Sequence, residues 1–120
     1  MELLRGKICI VTGGACGIGR SIAEVFASEG AIVYALDVVE GAESDGILPS
    51  ICDICDFSTV RNRVMEIKKA HDRIDVLVNC AGIVSYELLS MIDFNKLRKM
   101  FDVNVIALIN LMQLCSRVMS

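Results

Sequence analysis

The stretch Lys7-Ile8-Cys9-Ile10-Val11-Thr12-Gly13-Gly14-Ala15-Cys16-Gly17-Ile18-Gly19 decides the fold. Residues 7–12 carry no charge after Lys7 and form an aliphatic run, the pattern of a strand buried on both faces. Gly13 and Gly14 permit a sharp exit from that strand. From Gly17 onward apolar residues recur at Ile18, Ile22, Val25 and Phe26, a helical spacing that predicts a helix over 17–29. Gly30 then stands where a helix-ending glycine belongs.

Outward from this stretch the alternation continues. Residues 31–36 predict a second strand, and 38–49 read as a polar, glycine-bearing loop with at most one helical turn. Residues 50–52 are the core of a short third strand. Residues 57–70, with Val60, Val64, Ile67 and Ala70 on one face, predict an amphipathic helix that Asp56 or Ser58 can cap. Residues 75–79 predict a fourth strand, and a last helix runs from about residue 93 to the chain end. Strands alternating with helices imply right-handed crossovers, so the expected fold is α/β: a Rossmann-type doubly wound parallel sheet of order 3-2-1-4, in one domain over 1–120.

Composition agrees. Apolar residues make up 54% of the 120 and aromatics only 5%, the balance of a sheet buried on both faces. A net charge of -3 and a pI near 5.1 offer no basic face for nucleic acid. Lys96, Arg98 and Lys99 read as a solvated helix face. The longest apolar stretch, 103–114, is interrupted by Asn104, Asn110 and Gln113 and is too short to span a bilayer, so no membrane partner is expected. Six cysteines behind an acidic rather than basic start point to a reducing cytoplasm. Cys52 and Cys55 form a C-x-x-C pair, read as a redox pair or half a zinc site. With His71 the single histidine and no second pair, the four ligands of a structural site are missing and no metal is expected. His71 is expected exposed near a helix C-terminus, Cys9, Cys80 and Cys115 as core thiols, and Cys16 beside a helix N-terminus that favours thiolate character.

The chemistry begins at the glycine turn. Gly13 allows the turn, Gly17 lets backbone approach a pyrophosphate, and Gly19 lets the helix pack tightly on the sheet. The helix N-terminus offers unpaired N–H groups, so Gly13, Ala15, Cys16, Gly17, Ile18 and Gly19 are the candidate phosphate cradle. Asp37 ends the second strand 18 residues beyond Gly19. A carboxylate there accepts hydrogen bonds from adenosine ribose hydroxyls and opposes a 2′-phosphate; the plainer reading is a strand-end acid facing water.

Thr12-Gly13-x-x-x-Gly17-x-Gly19 resembles the fingerprint of the short-chain dehydrogenase/reductase family. Asn79-Cys80-Ala81-Gly82 resembles that family's Asn-x-Ala-Gly segment, and Cys52-Asp53-Ile54 its step after strand three. Phe101-Asp102-Val103-Asn104-Val105 resembles its fifth helix, whose asparagine belongs to a catalytic tetrad. The resemblance implies that Asp53 bonds the adenine amino group and the Ile54 backbone its ring, although Asp53 as a turn cap stays open. It implies that Asn79 bonds across strands beneath the nicotinamide ribose, that Ala81 and Gly82 give close backbone approach, and that Asn104 is catalytic, holding a water. NADP-dependent relatives carry Arg or Lys before the middle glycine or Arg after strand two. Here Cys16 and Val38 stand there, which favours NAD over NADP.

The family's serine and Tyr-x-x-x-Lys have no counterpart: Tyr34 falls in a strand and Tyr86 in a loop, and neither begins such a motif. The resemblance therefore implies a front half, truncated after the fourth strand and the family's fifth helix. The parent would be an NAD(P)-dependent dehydrogenase or reductase, of 3-oxoacyl-acyl-carrier-protein reductase or secondary alcohol dehydrogenase type. Its partners would be a small alcohol or carbonyl substrate and a second copy, joined through the last helix. The chain alone is expected to be inactive. The alternative is a non-catalytic nucleotide-binding or interaction module that ends naturally at residue 120.

Overall fold

The aliphatic run forms β1, Ile8–Thr12, whose five residues are all buried. In this computed structural model, which describes residues 2–84 and 87–119, the chain turns at Gly13 with φ +65° and enters α1, Gly17–Ser28. Then follow β2, Ile32–Asp37; β3, Ile47–Ile51; α2, Phe57–His71; and β4, Val76–Asn79. The four strands are parallel in the order β3-β2-β1-β4. Register sets Thr12 opposite Leu36 on one side and Asn79 on the other, so the C-terminal ends of the three strands share one edge.

Helices cover both faces, as the two periodicities require. On one face α1 packs over Cys9, Val11, Val33, Ala35 and Ile47. On the other, Val60, Val64 and Ile67 of α2 meet Ile8, Ile10 and Leu36. Ala107, Leu111 and Cys115 of α4, Ala107–Ser116, join this second core through an i, i+4, i+8 stripe. Burial pushes the Cys9 and Cys115 thiols up to about 11, Asp75 adding to the effect at Cys9, so both behave as small apolar core groups.

Three expectations need correction. The third strand begins at Ile47 rather than at residue 50, and Cys52 falls beyond it. Pro49 lies within this strand, tolerated because β3 is at the sheet edge, where a missing N–H need not break a ladder. The last helix is not continuous. After a 3₁₀ turn at Leu89–Met91 comes α3, Phe94–Phe101, capped by Asp93, and then a π-turn at Asp102–Ile106 leads into α4. One inserted residue rotates the helix face by about 100°, and α3 shows no buried residue while α4 faces the core. Finally, His71 is half-buried: its Nε2 lies 2.6 Å from the Tyr34 hydroxyl, with the rings edge to face.

Candidate functional site

Neighbours β2 and β4 leave β1 in opposite directions, and at such a switch point a crevice opens beyond the strand ends. A cleft of about 780 Å³ lies there. It gathers ten of the candidate cofactor-binding residues: Gly13, Cys16, Ile18, Gly19, Asp37, Val38, Asp53, Ile54, Ala81 and Gly82. Ala15, Gly17, Asn79 and Asn104 are not in its lining.

Close backbone approach builds the cleft floor. A Cβ on Gly19 would sit 2.1 Å from the Gly13 carbonyl oxygen, so α1 rests directly on the glycine turn. A Cβ on Gly13 would sit 3.0 Å from the Ala81 nitrogen, so that turn in turn rests on residues 80–82. Thr12, fully buried, locks the contact: its Oγ1 accepts N–H bonds from Cys80 at 3.1 Å and Ala81 at 3.0 Å. The sequence quoted Thr12 only as part of a fingerprint; its hydroxyl at the end of a buried strand is the signal that it has a bonding task.

The N-terminus of α1 is open. Cys16 is the N-cap residue, makes no side-chain cap bond, and no acid sits in the first turn. Helix N–H groups left without a cap are suited to an anion. Ala15 is different, since its N–H donates to Asp37 Oδ2 at 3.0 Å. Asp37 Oδ1 accepts from Val38 N at 2.7 Å and Val39 N at 3.4 Å. The strand-end acid therefore turns inward onto the loop while still lining the cleft.

Asp53 caps the following turn, the reading left open above: Oδ1 accepts from Cys55 N at 2.9 Å, and the residue also lines the cleft. Burial pushes the Cys52 and Cys55 thiols up, against the low value a redox-active C-x-x-C needs. Among the described residues no three metal-binding side chains gather. Asn79 Oδ1 is buried without a hydrogen-bond partner among the described residues. Asn104 lies in the π-turn and brackets one residue, accepting from Ile83 N at 2.8 Å and donating to Ile83 O at 2.7 Å. A Cβ on Gly82 would lie 3.3 Å from Asn104 Oδ1, so that side chain backs the cleft wall. Tyr86 lies outside the described residues.

The basic helix face is exposed at Lys96, Arg98 and Lys99, as expected of a solvated face. Arg98 and Lys99 also line the cleft together with Asn95 and Asp102, while Lys96 pairs with Glu87 at 3.5 Å. Sequence spacing alone did not reveal this, because the π-turn after α3 sets which way that helix faces.

A dinucleotide fits this set: an uncapped helix start for a pyrophosphate, a glycine floor that any side chain would fill, and an orphaned buried carbonyl on Asn79. Comparison with known proteins agrees. The chain is 37% identical over 113 residues to zerumbone synthase of Zingiber zerumbet, covering 85% of this chain and 42% of that protein. It is 39% identical over 88 residues to the NAD-dependent glycerol dehydrogenase of Listeria innocua, covering 68% and 35%. Ligand-free aldohexose dehydrogenase of Thermoplasma acidophilum superposes with a TM-score of 0.93 at 34% identity, over 98% of this chain and 46% of that one. The chain thus spans less than half the length of these relatives. Residues 7–120 match the short chain dehydrogenase family, and with the glycine floor, strand order and relatives in agreement, the chain belongs to that family.

Proposed function

We propose that the chain is the cofactor-binding portion of an NAD-dependent oxidoreductase that interconverts an alcohol and a carbonyl. The observation that carries this reading is the uncapped α1 N-terminus on its glycine floor, with the Asp37 carboxylate at the end of the next strand. The free N–H groups of the α1 start hold the pyrophosphate by hydrogen bonding and by the helix dipole. Asp37 accepts from the adenosine ribose hydroxyls and repels a 2′-phosphate, and neither Cys16 nor Val38 brings a cation to offset it. Ile54 and the Asp53 carboxylate border the adenine. Asn79, Ala81 and Gly82 support the nicotinamide ribose, and Asn104 holds the Ile83 backbone beside it. When bound, the nicotinamide supplies the hydride chemistry.

The chain's described residues bind and orient but offer no tyrosine–lysine proton-transfer pair in the cleft. A reacting oxygen needs an acid or base of tuned pKa within hydrogen-bond reach. The Tyr34 hydroxyl is instead engaged with His71 and is absent from the cleft lining. The missing group would come from a part of the relatives' length that this chain does not span. The reading places the protein in the cytoplasm, with an alcohol or carbonyl of small size as substrate; no helix among the described residues is long and apolar enough to cross a membrane. It also makes the protein a homo-oligomer, in which exposed Val105, Ile106, Ile109 and Met112 are covered by a second copy.

Calorimetric titration with NAD and NADP, joined to NADH absorbance with ketones and secondary alcohols, tests this. The chain should bind NAD more tightly than NADP and turn over nothing, and a longer form carrying Ser and Tyr-x-x-x-Lys should turn over. Equal or reversed cofactor affinity refutes the cofactor assignment. Turnover by the 120-residue chain refutes the division of labour.

A further inference from the structure

The edge strand β3 is only half covered on its α2 side. Side chains alternate along a strand, and Ile47 is buried in the α1-side core, so Leu48 and Ser50 belong to the α2 face. Val60, Val64 and Ile67 of α2 pack instead on Ile8, Ile10 and Leu36, nearer the middle of the sheet. Leu48 is left 39% exposed, and a cavity of about 350 Å³ opens between β2, β3 and the flank of α2. Its apolar walls are Leu36, Leu48, Pro49, Ile67 and Ala70. Tyr34 adds a ring that His71 holds through the hydroxyl at 2.6 Å.

The cation in this lining is Arg63, whose side chain is 33% exposed. Its Nε is buried and donates to nothing among the described residues. Nη2 reaches the Ile51 carbonyl only at 3.5 Å, and Nη1 reaches the Glu66 carboxylate only at 3.6 Å. Both contacts are longer than ordinary N–H···O bonds, which fall at about 2.7–3.2 Å. A guanidinium carries five donors in a rigid fork. Taken largely out of water without a short acceptor, it lacks the bonding that a buried charge requires, and that deficit calls for a partner.

We propose that this cavity is a second ligand site, separate from the cleft beyond β1, for a small monocarboxylate with a short apolar tail. The carboxylate takes the Arg63 fork, whose paired donors match its two oxygens, in place of the long contact to Ile51. The tail lies against Leu36, Leu48, Ile67 and Ala70. Glu66 sets the charge: its carboxylate stands beside the same guanidinium and repels a second negative charge, so a singly charged head suits the site better than a phosphate. The volume sits at the small end of ligand pockets, about 300–1,000 Å³. The site stands whether or not the cleft takes a dinucleotide.

The test titrates the ¹⁵N-labelled full chain with benzoate and butyrate, and with benzamide and butyramide as their neutral counterparts. Shifts are read at the Arg63 Nε–H and the Ser50 amide. Each carboxylate should give saturable shifts at both and bind about tenfold more tightly than its amide, the value of one charge-assisted pair. Phenyl phosphate should bind more weakly than benzoate. Arg63→Gln should abolish the preference for carboxylate over amide. Ala70→Leu changes an exposed position, so the fold and Arg63 are kept, and its added bulk should weaken both carboxylates about tenfold. Equal affinity for acid and amide, undiminished carboxylate binding in either variant, or tighter binding of phenyl phosphate overturns the proposal. So does the absence of a saturable Arg63 shift with both carboxylates, including the case where shifts appear only at the glycine turn.

Discussion

Replacing Thr12 by Val preserves shape and removes one oxygen. That oxygen is fully buried and accepts two backbone N–H groups, from Cys80 and Ala81, which tie the end of β1 to the turn after β4. Valine leaves both donors without an acceptor, and each buried unsatisfied group costs about 1–3 kcal/mol. Both bonds are only part-buried, which favours the lower half of that range, so the pair should cost about 2–4 kcal/mol. The contact toward the Val78 carbonyl, at 3.5 Å, is too long to add much. With a urea slope of about 1–3 kcal/mol/M, the unfolding midpoint should fall by about 0.7–4 M. Thr12→Ser keeps the hydroxyl and should lose about 1 kcal/mol, the value of one buried methyl. Because Ala81 forms the wall against Gly13, Thr12→Val should also weaken NAD binding more than Thr12→Ser does. Equal midpoints for the two variants would show that the hydroxyl does not hold the turns together.

Gly19→Ala should cost about 3 kcal/mol and abolish cofactor binding, because its Cβ would meet the Gly13 carbonyl oxygen and carbon, backbone atoms that cannot swing aside; near-wild-type melting and titration would refute this. Asp75 gives a pH dependence. Burial acts to raise its pKa, but the Ile8 N–H and the Arg73 guanidinium outweigh it and hold the carboxylate below its ordinary value. The folded chain thus stays ionised to lower pH than the unfolded one, so the stabilisation is present above about pH 4 and lost as pH falls through the lowered value. Asp75→Asn should flatten that acid limb in urea titrations, and an unchanged limb would refute it. Sedimentation at micromolar concentration should show an oligomer, given the exposed apolar positions of α4 and the edge position of β4; a single monomer refutes the association.

What could be read from the sequence was what local pattern determines. The run into Gly13 and Gly14 fixes β1 and the start of α1, because glycine spacing and aliphatic period admit little else there. Strand order followed from the alternation of elements. The early start of β3 was hidden by Pro49, a residue that argues against a central strand but not an edge one. The π-turn left no trace in hydrophobic period, because apolar residues surround most of residues 97–119 and no single face marks the phase. Long-range bonds were out of reach. His71 finds Tyr34 across 37 residues, and Ala15 finds Asp37 across 22. The glycine positions announced the cleft floor, but which side chain fastens it, Thr12, depends on a contact 69 residues away.

The central claim is that the crevice beyond β1 receives a dinucleotide with its pyrophosphate on the α1 N-terminus. Backbone amide shifts in a ¹⁵N-labelled chain titrated with NAD test it most directly. The account predicts large, saturable shifts at Cys16, Gly17, Ile18, Ile54 and Gly82, and none at Asn62 or Met65 on the outer side of α2. Shifts confined to α2, or no saturable shift at the glycine turn, would contradict it.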